Sequence, residues 1–134
     1  MCAICGAHAL GCCRWWGALG AEFDHTLGNF WSLPRYQYPA VAWGVHNHVI
    51  YLPSGYCAHL QGEQGALVSV LALSSLSGVN YSGLQWGLQE AEIVPFETFS
   101  LRNALAKPQA QVSWRLGDGL VVIDAKITPK ISAL

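Results

Sequence analysis

Asn47-His48-Val49-Ile50-Tyr51-Leu52-Pro53-Ser54-Gly55-Tyr56-Cys57-Ala58-His59-Leu60 is the stretch on which the reading of this chain turns. Val49 to Leu52 is apolar and rich in β-formers, the pattern of a buried strand. Pro53 cannot donate to a ladder and Gly55 tolerates a positive φ, so the chain turns there. Tyr56 to Leu60 is then expected to return as the antiparallel partner. Such a hairpin brings His48 and His59 to one end of the pair. Alternation puts His46 on the face of His48 and Asn47 on the other. His46, His48, Tyr56 and His59 therefore form a candidate binding site.

Outward from this hairpin, the pattern predicts a mixture of strands and helices. Val41 to Leu52 is the strongest strand region, and a short strand is expected around Asn29 to Leu33. Leu67 to Leu76 reads as a helix. Pro95 at a first helical position, with Glu97 in the first turn, opens a second helix to about Ala106, and Pro108 ends it. Val112 to Ile127 reads as a hairpin turning at Gly117-Asp118-Gly119. The class is α+β, a small antiparallel sheet packed against a few helices. Residues 1–20 form a Cys- and Trp-rich lead, and 21–134 a single domain.

Composition bounds the function. With 134 residues the chain is long enough to bury a core without disulfides or metal. Hydrophobic residues make up 52% and charged residues only 11%, so few charges are available to cover the outside. That balance favours a partly apolar surface for a protein partner, a homodimer or a membrane surface. Seven basic residues spread thinly, at net charge −1, argue against direct nucleic-acid binding. The most apolar run, Ala66 to Val79, is too short to span a bilayer.

Four of the five cysteines fall in the first thirteen residues. This is no secreted disulfide framework and fits a reducing cytoplasm. Cys2, Cys5, His8 and Cys12 have the spacing of a compact zinc site, with Cys13 competing for the fourth position. The other reading is a Cys-rich segment that binds no metal, so no cofactor is required. Cys57 reads as an inert buried thiol.

The central stretch also resembles the H-box of the lecithin retinol acyltransferase-like, or H-box/NC, family, a permuted branch of the NlpC/papain-like superfamily. Ile50-Tyr51-Leu52, Gly55-Tyr56 and His59-Leu60 carry the likeness. The resemblance implies the permuted papain-like fold. It places the family's catalytic His at Asn47, its second His at His59 and its nucleophilic Cys at Phe96, within Pro95-Phe96-Glu97-Thr98-Phe99. A phenyl ring cannot supply thiolate chemistry, so the resemblance implies a scaffold without the activity. In size and departures the chain is similar to picornavirus 2A proteins of the H-box/NC type.

The expectation that follows is a non-enzymatic viral protein acting through host or viral protein partners, in the cytoplasm or at membrane-associated replication sites. The alternatives are a cysteine hydrolase or acyltransferase using Cys13 with His48 and His59, and a small zinc-binding module.

Overall fold

The computed structural model describes residues 5–8 and 12–16 as backbone, and 22–134 in full. Strands form on both sides of the Pro53-Ser54-Gly55 turn, at Asn47–Leu52 and Tyr56–Gln61, but they do not pair with each other. The turn carries the chain from one sheet into another.

In chain order the elements are β1 (Cys5–His8), β2 (Cys12–Trp16), α1 (Phe23–Ser32), a 3-10 turn (Leu33–Arg35), β3 (Ala40–Trp43), β4 (Asn47–Leu52), β5 (Tyr56–Gln61), β6 (Leu67–Ala72), β7 (Leu76–Ser82), β8 (Leu88–Ile93), β9 (Asn103–Ala104), β10 (Gln109–Trp114), β11 (Gly119–Asp124) and β12 (Thr128–Ala133). They build a seven-stranded sheet in the order β1-β2-β3-β4-β11-β6-β9 and a five-stranded sheet in the order β12-β5-β10-β7-β8. All neighbours are antiparallel except β2 and β3, which α1 connects as a parallel crossover.

The expected α+β class is therefore corrected to a two-sheet β-sandwich with one α-helix among the described residues. Asn29 to Ser32, expected as strand, is the end of α1. Leu67 to Ala72, expected as helix, is β6, because Val68 and Val70 alternate into the core. The helix expected from Pro95 is a run of turns.

Burial explains why neither expected hairpin forms. From His48 to Leu52, β4 is buried on both faces. Ile50 and Leu52 point to the core between the sheets, and Val49 and Tyr51 point to a second cluster with Phe30 and Leu33. By contrast β5 buries Ala58 and Leu60 and leaves His59 and Gln61 outside. A strand apolar on both faces needs cover on both, and a strand apolar on one face does not. The same holds for β11 and β10. Leu120 joins the second cluster and Val121 the central core, whereas Gln109 and Gln111 of β10 are exposed.

The result is a pair of stacked arches. Strand β4 pairs β11 in one sheet while β5 pairs β10 in the other. Their turns are clipped together. Gly117 N–H donates to Ser54 Oγ at 2.8 Å, that hydroxyl donates to Gly117 O at 3.2 Å, and Gly55 N–H donates to Trp114 O at 3.3 Å. Trp114 Nε1–H also donates to Gly117 O, at 3.1 Å. Gly117 has φ +110°, and a Cβ there would collide with the Ser75 carbonyl oxygen, so only glycine fits the clip.

Candidate functional site

The two histidines expected at one site lie in different sheets. His48 is buried and has both ring nitrogens engaged. Gly44 N–H donates to Nδ1 at 3.2 Å, which makes Nδ1 the acceptor and leaves Nε2–H to donate to Ala125 O at 3.1 Å. The Trp43 ring meets it edge-on, with centroids 4.5 Å apart. His48 is a neutral tie between β4 and the segment after β11. His46 is exposed just before β4, and its carbonyl accepts from Ala125 N–H. Asn47 Nδ2 donates to Ile123 O at 3.4 Å. Tyr56 is half-buried against the central core.

His59 stands on the outer face of the five-stranded sheet, where Nε2 lies 2.8 Å from Ser132 Oγ. Cys57 is buried on the same strand, and desolvation raises its thiol pKa. A thiol so placed is a poor nucleophile at neutral pH. The Cys2 position lies outside the described residues. So do the side chains of Cys5, His8, Cys12 and Cys13, although the β1–β2 register places His8 opposite Cys12. Among the described residues, Glu22, Asp24 and His25 bring ligand atoms within 4.8 Å of one another, all exposed at the start of α1.

Among the described non-glycine residues, Phe96 has the largest positive φ. It is fully exposed and has φ +75°, and Arg102, six residues on, has φ +58°. A bulky side chain in this region costs roughly 1–3 kcal/mol and persists only where its surroundings over-determine it. The surroundings here are explicit. Ser100 is buried, its hydroxyl 2.6 Å from Tyr81 OH on β7, and its carbonyl accepts from Val70 N–H on β6 at 3.0 Å. Arg102 N–H donates to Ser69 Oγ at 2.8 Å. The segment 94–102 is thus laced to both sheets.

Asn103 closes that loop. Its buried amide accepts from Trp86 N–H at 3.1 Å and donates to Trp86 O at 2.8 Å, fixing the Trp86 backbone in the β7–β8 connection. The side chains of Trp86 in the β7–β8 connection and of Phe96 and Phe99 in the loop are exposed, as are Val94, Leu101 and Glu97. Burial raises Tyr81 to about 12, so its hydroxyl stays protonated under the loop. The backbone that carries these exposed aromatics is pinned by Ser100, Arg102 and Asn103. The sequence carries a partial signal in Pro95-Phe96-Glu97-Thr98-Phe99, the segment that resembles a catalytic motif. The buried pins Ser100 and Asn103 had no local signature.

No protein-family model matches this chain. No curated protein sequence matches it either. Solved structures do share the fold. The thiamine pyrophosphokinase of Bacillus subtilis superposes with a TM-score of 0.75 at 19% identity, over 85% of this chain and 55% of that one. The enzyme of Geobacillus thermodenitrificans gives 0.70 at 21% identity, over 84% and 54%. That of Candida albicans gives 0.66 at 15%, over 84% and 44%. This chain spans about half the length of the bacterial structures it matches.

At these identities the likeness concerns the fold, and it is to a β-sandwich rather than a papain-like scaffold. The H-box/NC resemblance at Ile50 to Leu60 is corrected accordingly. Its matching residues straddle two sheets, whereas the motif was read as one hairpin. The viral 2A-like role and the Cys13 hydrolase alternative lose their basis with it.

Proposed function

We propose that this chain recognises thiamine or a thiamine phosphate on the aromatic platform of Trp86 and Phe99. The observation that carries the reading is the strained loop 94–102, held by buried Ser100 and Asn103 so that large aromatic side chains face solvent. The named activity of the structural neighbours supplies the ligand class.

The chemistry of the two fits. Thiamine carries an aminopyrimidine ring and a permanently cationic thiazolium ring. A cation over a Trp or Phe face gains about 0.5–1 kcal/mol when exposed and about 2 when desolvated. Stacking against a second ring adds area without the cost of ordering the protein, because the loop is already fixed. The exposed Glu97 in the same loop adds an opposite charge.

Calorimetric titration with thiamine, thiamine monophosphate and thiamine diphosphate tests the reading. Saturable binding is expected. Trp86→Ala and Phe99→Ala should each weaken it about tenfold, the equivalent of roughly 1.4 kcal/mol. Phe23→Ala, at an exposed aromatic on α1, should leave it unchanged. An absence of saturable heat with all three ligands would overturn the proposal. So would full affinity in the Trp86→Ala, Phe99→Ala double variant.

A further inference from the structure

The outer face of the five-stranded sheet holds an open groove of about 660 Å³, lined among others by His59, Gln61, Lys107, Gln109, Gln111 and Lys130. We propose that this groove is a second binding site, for a phosphate-type oxyanion, separate from the aromatic platform and independent of what that platform binds.

Strand register builds the groove. Alternation turns Ala58, Leu60, Ala110, Val112 and Ile131 into the core, so their neighbours project outward. Lys130 of β12 lies opposite His59 of β5, His59 opposite Gln111 of β10, and Gln111 opposite Ser82 of β7. One polar row therefore crosses four strands. Thr128, Gln61 and Gln109 form the next row. Gly83 closes the end of the groove. Its φ is +75°, and a Cβ would meet the Gln109 carbonyl oxygen, so β7 approaches β10 there as only glycine allows. The Gly83 carbonyl accepts from Lys107 N–H at 3.3 Å, which anchors the second lysine at that end.

Charge selects the ligand. The chain as a whole is balanced, with seven Lys and Arg against eight Asp and Glu. The groove is not balanced. It takes two lysines and a histidine, and no carboxylate lines it. Neither lysine has an ion-pair partner among the described residues. Glutamine amides beside two ammonium groups give several N–H donors around one concave space, which a multiply charged oxyanion satisfies and a cation does not. The volume falls in the range of small-ligand sites, roughly 300–1,000 Å³, enough for a diphosphate with an organic group attached.

The test is calorimetric titration of the intact chain with inorganic pyrophosphate and with ADP, at fixed ionic strength and without added metal. Saturable binding with one or both is expected. Pyrophosphate binding alone identifies the free anion as ligand, and tighter binding of ADP identifies an organic diphosphate. Lys130→Gln and Lys107→Gln should each weaken binding about fivefold, while their melting temperatures stay at the native value because both side chains are exposed. Lys126→Gln, an exposed lysine outside the groove, should bind as the native chain does. No saturation with either ligand would overturn the proposal. Equal weakening by Lys126→Gln would overturn it too, since it would reveal general charge attraction in place of a site.

Discussion

The outer faces of the two sheets start from the same strand geometry and end opposite in character. On the seven-stranded sheet, Ala40, Ala42, Val49, Tyr51 and Leu120 meet Phe30 and Leu33 from the α1 region. On the five-stranded sheet, His59, Gln61, Gln111 and Lys130 meet solvent. The first face contributes to stability. The second keeps most of its polar side chains open to a ligand, with Cys57 buried at one end of the face. His48 and His59 condense the contrast into one residue type, since the first is a buried tie and the second lies in an open groove.

Four perturbations break or sharpen this difference. The largest effect belongs to the covered face. Phe30→Ala removes the buried ring that α1 sets on it and should cost about 3 kcal/mol in urea denaturation. A loss no greater than that of an exposed site would mean the helix does not cover the sheet. Next, His48→Ala leaves the Gly44 N–H and Ala125 carbonyl without their partner and should cost about 2 kcal/mol.

A third effect depends on pH. Tyr51 OH donates to Asp118 Oδ1 at 2.5 Å, and the same carboxylate oxygen accepts from Gln37 Nε2 at 2.9 Å. Burial, then the Asp118 hydrogen bond and charge, push the Tyr51 pKa far above its ordinary 10.0. Burial also raises Tyr81 to about 12. The unfolded chain loses these protons near pH 10 while the folded chain keeps them, so stability should fall as pH rises above 10. Below that the two tyrosines contribute no slope. Tyr51→Phe should cost about 1.5 kcal/mol at neutral pH and flatten the alkaline decline. An unchanged alkaline slope in Tyr51→Phe and Tyr81→Phe together would rule out this linkage.

The smallest effect marks the bare face. His59→Ala should change stability by less than about 0.5 kcal/mol, because only the Ser132 hydroxyl is lost. A cost comparable to His48→Ala would erase the distinction between the faces.

Much of this contrast is present in the residues, in single strands rather than in their pairings. Strand positions at β4, β5, β10 and β11 were legible from apolar content and turn formers. Their pairing was not, because Pro53-Ser54-Gly55 and Gly117-Asp118-Gly119 suit a hairpin or an arch equally well. The discriminating signal was the number of apolar faces. Val49-Ile50-Tyr51-Leu52 and Leu120-Val121-Val122-Ile123 are continuous, whereas Ala58 to Gln61 and Gln109 to Trp114 alternate. Strands of different cover belong to different sheets.

Leu67 to Leu76 illustrates a second limit, since a short apolar run suits a helix or a buried strand until neighbours decide. The aromatic loop was visible only as a motif without its nucleophile. Its pins, Ser100 and Asn103, bond to Tyr81 and Trp86, contacts that no local pattern announces.

The stacked arches also govern how the molecule comes together in time. Leu52 must find Gly119, and Tyr56 must find Trp114, before the Ser54–Gly117 clip can close. Every such meeting joins distant parts of the chain, so loop-closure entropy is spent before packing returns anything. Refolding should therefore run on the millisecond-to-second scale of all-β sandwiches. The clip should form late, as a latch on two sheets already assembled.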